Sequence, residues 1–246
     1  MPCQTLGNLE ATPQGFRCYP MAMAYRREAF EVDGWYHCYS RGVDKRTVFE
    51  SEHDYKRFQE SLYISNDTAA TNRQNYNYID HAAIFELPKE ERLVSVAAYC
   101  LMPTHFHLLL QEVRERGITR FMHKLGTSYT MYFNIRNERT GNLFVKPFRS
   151  RRVDVDNYFE YIPQYIHLNP VELYEKNWKR GVVPSFQKLE RQLSGYQYSS
   201  LPEYIGQKRP ESVIVDPAHQ DLFSVHRLSL ARMLREAAAY YAGLEP

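Results

Sequence analysis

Two histidines one residue apart, His105 and His107, lie in the run Ala97-Ala98-Tyr99-Cys100-Leu101-Met102-Pro103-Thr104-His105-Phe106-His107-Leu108-Leu109-Leu110-Gln111. The run reads as two apolar strands joined by a tight Met-Pro-Thr turn. Side chains two apart on a strand share a face, so the two imidazoles point one way and Phe106, Leu108 and Leu110 the other. Paired imidazoles on a rigid strand can hold a divalent metal. The plainer reading makes one His a turn cap and the other a surface residue. Further along, Tyr165-Ile166-His167-Leu168-Asn169-Pro170 reads as the end of a helix, where Tyr165 and Asn169, four apart, share a face. An Asn amide oxygen can join two imidazoles and still leave open positions, as a catalytic metal needs. A Tyr hydroxyl is a poor nucleophile at its free pKa of about 10. It becomes useful where a metal polarises an electrophile such as a phosphodiester. Tyr165 also continues an aromatic stripe as a core residue would, and Asn169 before Pro170 is a good helix stop, so spacing alone leaves both alternatives open. The basic residues Arg41, Lys45, Arg46, Lys146, Arg149, Arg151 and Arg152 are candidate phosphate contacts, with a solvated charged face as their ordinary alternative.

These residues need elements to position them. Residues 35–41 form an aromatic strand closed by Gly42, followed by a basic loop over 42–46. Ser51 caps a helix from about Glu52, with Asp54 three residues on and an apolar stripe of Tyr55, Phe58 and Leu62. A polar loop spans 66–77, and the first central strand runs from Leu93 to Leu101. A second amphipathic helix covers about Ile118 to Asn137. Residues 142–153 read as a basic hairpin or bent strand, since Pro147 forbids a regular central ladder. Asp154 or Asp156 caps a third helix whose stripe is Tyr158, Tyr161, Ile162, Tyr165 and Ile166. It stops near Asn169 because Pro170 disfavours helical geometry before it, and Pro163 should kink it. A terminal helix runs from about Ser224 to Tyr241.

The order β-α-β-β-α-β-α predicts an α+β fold, a ferredoxin-like sandwich with an antiparallel sheet and helices packed on one face. The other face, carrying the two His, should be open. Residues 1–30 read as a partly disordered lead-in, 31–173 as the main domain, and 174–246 as a C-terminal helical accessory region.

Composition sets bounds on partners. Among 246 residues the net charge is only +2, so any nucleic-acid affinity must come from a local basic patch. The 20 Tyr suit either base stacking or a half-buried core. Cys3, Cys18, Cys38 and Cys100 lack metal-type spacing and fit reduced thiols. No apolar run is long enough to span a bilayer, and the first residues lack the order of a signal peptide, so a cytoplasmic protein is expected, nucleoid-associated when bound to DNA.

The ordered set Tyr36-His37…Ser40-Arg41-Gly42, Tyr99-Cys100-Leu101-Met102-Pro103-Thr104-His105-Phe106-His107, Gly141-Asn142-Leu143-Phe144 and Tyr165-Ile166-His167-Leu168-Asn169-Pro170-Val171 resembles the single-tyrosine HUH transposases. Within them it is most similar to the REP-associated tyrosine transposases, over about residues 24–173. The resemblance implies a divalent metal, Mg²⁺ or Mn²⁺, at His105 and His107 with Asn169 as third ligand. It implies that Tyr165 attacks a scissile phosphate in single-stranded DNA, leaving a 5′-phosphotyrosine link and a free 3′-hydroxyl. The implied target is a hairpin-forming repeat. By general ligand preference, two imidazoles and an amide suit softer metals than Mg²⁺. The contrasting expectations are a domesticated protein that binds nucleic-acid hairpins without cutting, and a zinc hydrolase built on His105 and His107. The second lacks a carboxylate close in sequence to act as base. Monomer and homodimer are equally compatible with the sequence.

Overall fold

The computed structural model describes residues 29–70, 78–153, 161–222 and 229–243. Residues 1–28 of the expected lead-in, the Asp154 and Asp156 caps, Tyr158, Cys3, Cys18 and the start of the terminal helix at Ser224 lie outside the described residues, whereas Phe30 is buried in the core. Strand β1 is Trp35–Arg41, β2 Val94–Met102, β3 His105–Glu112 and β4 Arg149–Arg152. They form one antiparallel sheet in the order β2-β3-β1-β4. Helices α1 (Glu52–Ser65) and α3 (Gly117–Arg136) pack against each other, with the short α2 (His81–Ile84) beside α1. This is the expected ferredoxin-like sandwich.

Local chemistry explains where the elements begin. The Asp54 carboxylate accepts from the backbone N–H groups of Glu50 and Ser51, at 2.8 and 2.9 Å, and so closes the start of α1. It is also ion-paired to Arg136 and accepts the Tyr132 hydroxyl, which ties α1 to α3. The start of α3 is capped from the preceding strand. The fully buried Glu112 carboxylate accepts from the N–H groups of Gly117 and Ile118, at 3.0 and 2.7 Å. Gly117 is required there, because a Cβ would stand 2.1 Å from the Leu93 carbonyl oxygen. Phe58, Phe106, Tyr129 and Phe144 interlock between sheet and helices. Tyr99, Tyr129 and Tyr204 are among the largest fully buried side chains, so much of the Tyr content builds core.

The second face of the sheet is covered, contrary to expectation. Helix α4 (Tyr161–Leu168) packs on β2 and β3. The physical reason is apolar demand: Ala98, Cys100, Met102 and Leu109 lie on the histidine face and are buried. Ile162 and Ile166 of α4 are buried with them. Every residue of β2 is buried, as a strand packed on both sides requires.

The accessory region is stitched to the edge of β2. After α5 (Val171–Tyr174) at its border, it contains α6 (Phe186–Ser194), α7 (Leu201–Tyr204), α8 (Pro217–Leu222) and α9 (Leu230–Ala242). Leu101 donates its N–H to the Tyr198 carbonyl, Ser200 donates to that of Tyr99 and Asp216 to that of Val96, each at 2.9 Å. The hydroxyl of Tyr204 donates to the Ala97 carbonyl at 2.8 Å. These bonds satisfy backbone groups that an edge strand would otherwise expose. A contact between His167 Nε2 and the Ser200 hydroxyl, 2.8 Å, fastens α4 to the same segment.

Candidate active site

Pairing between strands assembles the site. His107 lies directly across from Tyr39, and His105 across from Arg41. On the far side of β1, Arg149 faces Tyr39 and Arg151 faces His37. Residues paired across antiparallel strands share a face. One face therefore carries His37, Tyr39 and Arg41, His105 and His107, and Arg149 and Arg151. His37 Nε2 and His107 Nδ1 are 2.9 Å apart, with their rings stacked at 5.0 Å. His105 stands perpendicular to His107 at 5.1 Å between centroids, and its Nδ1 is 3.0 Å from the Thr104 hydroxyl.

The imidazoles are held neutral. Burial, and then the charge of Arg151, push His37 down to about 4. Burial and Arg41 outweigh the opposing pull of Glu172 and push His105 to about 4 as well. His107 is driven well below its usual value by burial, then by its two histidine neighbours and Arg41. Desolvation disfavours the imidazolium, and no carboxylate compensates it strongly.

Helix α4 lays Tyr165 over this cluster. The Tyr165 ring meets His37 edge-on at 5.7 Å and His107 at 5.8 Å. The helix runs unbroken from Tyr161 through Pro163 to Leu168. Pro170 follows Asn169, and α5 then starts at Val171, so the chain turns where the Asn-Pro pair placed the stop. The Asn169 amide nitrogen donates to the carbonyls of Tyr165 and Ile166, at 2.8 and 3.3 Å. That orientation leaves the amide oxygen for another partner. Tyr165 touches His107, and Glu172 acts on His105, so Asn169 falls between two residues that both sense the histidine pair.

The basic residues divide. Arg41, Arg149 and Arg151 belong to the histidine face. Lys45 and Lys146 are exposed where β1 ends, beside a segment in which Val145 donates its N–H to the Arg41 carbonyl at 2.8 Å. Arg46 is turned back onto its own loop, donating from Nε to the Val43 carbonyl at 3.1 Å. Arg152 falls on the other face, across from Tyr36, and is ion-paired to Glu31 at 2.6 Å. Two neighbours of the site were given no role from sequence: His37, quoted only within the family-like motif, and Glu172, whose charge acts on His105. The even spacing of His37 and Tyr39 in an aromatic strand was the available signal for the first. Glu172 carried no signal of its own.

The donor set suits a divalent cation. Neutral imidazoles offer lone pairs, the Asn169 oxygen offers a third, and Nε2 of His105 and of His107 is the nitrogen each ring has outside the hydrogen bonds described above. Among the described residues there is no cluster of three or more His, Cys, Asp or Glu placed to hold a metal. No described helix is long and apolar enough to cross a membrane.

No curated protein matches the chain. A solved structure, described as a REP-associated tyrosine transposase bound to a REP hairpin, is similar at 14% identity and a TM-score of 0.46, over 76% of this chain and 89% of that one. The family model for IS200-like transposases matches residues 33–169, a span that holds the paired histidines, the basic strand and Tyr165 through Asn169. The chain belongs to the IS200-like transposase family.

Proposed function

We propose that the protein is a metal-dependent single-stranded DNA endonuclease and strand transferase of the REP-associated type, with Tyr165 as nucleophile. The observation that carries the reading is the Tyr165 ring set edge-on against His107, one helical turn from Asn169. His105, His107 and Asn169 would hold Mg²⁺ or Mn²⁺. When bound, that ion supplies Lewis-acid stabilisation to the phosphoryl oxygens.

The chain's own residues do the rest. The Tyr165 oxygen forms a bond to phosphorus as the bond from phosphorus to the 3′ oxygen breaks. The phenol proton that Tyr165 loses is balanced by the proton the 3′ oxygen gains, leaving a 5′-phosphotyrosine and a free 3′-hydroxyl. Helix α4 holds the phenol on a rigid element, which lowers the entropic part of the barrier. Arg41, Arg149 and Arg151 flank the site with fixed positive charge, and Lys45, Arg46 and Lys146 extend it along the phosphate path. Reversal on another 3′ end would complete strand transfer. The substrate is single-stranded DNA with a hairpin-forming repeat.

Incubation of the full chain with hairpin-bearing single strands and Mn²⁺ tests this. A covalent protein–DNA adduct on Tyr165, absent with chelator, is expected. DNA found on Tyr158 or Tyr161 would move the nucleophile, and tight hairpin binding without any adduct would make this a binding protein.

A further inference from the structure

We propose that His37 is a positioning residue of this site, whose Nε2 accepts the proton on His107 Nδ1 and so leaves the lone pair on His107 Nε2 for a divalent cation. The inference rests on the metal reading above. A neutral imidazole has one N–H and one lone pair, so a direct contact between two imidazole nitrogens requires one donor and one acceptor. Two arrangements satisfy the 2.9 Å contact between His37 Nε2 and His107 Nδ1. If His37 donates, the His107 proton sits on Nε2 and that ring cannot bind a cation. If His107 donates, its Nε2 is available. The first arrangement disables the ring, and the second prepares it.

The packing fixes this pair in place. His37 and His107 are 7% and 6% exposed, and their rings stack 21° from parallel. Tyr39 lies against both, at 5.2 and 5.7 Å, and Tyr165 closes over both edges. At that exposure, the 2.9 Å contact is the polar partner the packing offers to His37 Nε2 and His107 Nδ1. His105 differs, because its Nδ1 faces the Thr104 hydroxyl, which can donate or accept. The tautomer of His107 is therefore set by protein, whereas that of His105 can adapt. Partners behind a metal-binding imidazole act in this way, orienting the ring and selecting its tautomer.

Mn²⁺ titration followed by electron paramagnetic resonance, on the full chain and its variants, reads the effect without DNA. His37→Phe keeps a ring but cannot accept, whereas His37→Gln places an amide oxygen about where Nε2 stands. The expected result is Mn²⁺ binding weakened roughly 10–100-fold in His37→Phe and restored to within about threefold of wild type in His37→Gln. Wild-type binding in His37→Phe, or equal loss in both variants, overturns the assignment. Should the Phe variant not fold, histidine-selective ¹⁵N NMR of the metal-free wild type decides. A proton on His107 Nδ1 is expected, and one on Nε2 overturns the proposal. His107→Ala separates the two levels of argument, since Mn²⁺ binding equal to wild type there would sink the metal site itself, whatever His37 does.

Discussion

His107 and His81 are both packed among other side chains, yet their surroundings drive them in opposite directions. Around His107 stand two imidazoles and Arg41, and the ring is held neutral. His81 sits between two carboxylates, with Nδ1 3.0 Å from Glu60 and Nε2 3.0 Å from Glu211. Burial opposes its charge, but the hydrogen bonds it donates to Glu211 and Glu60 prevail and raise it to about 9. The first environment keeps the imidazoles neutral beside fixed cations, as the proposed site for a metal and a phosphate would need. The second makes a charged pin between α1, α2 and the segment around Glu211, with both ring nitrogens consumed. Histidine type alone predicts neither behaviour. The count of nearby carboxylates does.

Breaking each region should give opposite phenotypes. Tyr165→Phe, His105→Ala and His107→Ala should each eliminate the covalent DNA adduct, the first two moving unfolding stability by no more than about 1 kcal/mol and the third by about 1–3 kcal/mol, because it leaves the buried His37 Nε2 unpaired. Gel-resolved adduct assays beside urea titrations measure both. Adduct formation at the wild-type rate in either histidine variant would remove the pair from the chemistry. His81→Leu should do the reverse. It leaves Glu60 and Glu211 facing each other with only the longer Arg57 contact, 3.7 Å from Glu60, at a cost of about 1–3 kcal/mol, less than for an isolated fully buried pair because Arg57 remains and the site keeps some solvent contact. Adduct yield per folded molecule should be unchanged, and an unaltered urea midpoint would show that the pin carries no stability.

The pin also has a pH signature. Its folded-state pKa, about 9, lies above the ordinary histidine value of 6.5, so the native state binds the proton more tightly. The stability difference between wild type and His81→Gln should be full below about pH 6.5 and shrink steadily as pH rises toward 9. A difference that grew with pH would reverse the assignment of charge. The smallest effect separates the arginines. Neutralising Arg149 and Arg151 together should flatten the plot of log affinity for single strands against log salt by roughly 1.4, about 0.7 per phosphate contact. Neutralising Arg152, which faces away and pairs with Glu31, should leave the slope as it is. Equal changes from Arg149 and Arg152 would place the DNA path across the strand edge rather than over the histidine face.

Much of the scaffold was legible because it depends on short-range pattern. Ser51 and Asp54 mark the start of α1, the stripe from Ile118 to Phe133 marks α3, and the Met-Pro-Thr turn separates β2 from β3. The shared face of His105 and His107 follows from a period of two. The rest depended on pairings that sequence distance conceals. Nothing local announces that β4 docks on β1 in the register that brings Arg149 and Arg151, but not Arg152, to the histidines. The same register hid His37. The cap on α3 has no local signature, because Glu112 reaches forward from the end of a strand rather than standing at the usual capping position. The covered second face had left a trace, since Val94 to Met102 is apolar on both sides apart from Ser95, and a strand with one wet face would alternate.

The bonds along the edge of β2 bear on how the chain becomes a protein at all. Tyr198, Ser200, Tyr204 and Asp216 are made long after Val96 to Leu101, so during synthesis the sheet waits with a bare, apolar rim until about a hundred further residues have been added. Contacts so distant in sequence form late and slowly. A chain cut soon after Asn169 would retain the histidines, the tyrosine and the arginines, yet present that rim to its neighbours, where strand-to-strand association between copies competes with folding. The stretch that marks the family is thus shorter than the stretch that must be translated before the family's chemistry has a closed sheet to stand on.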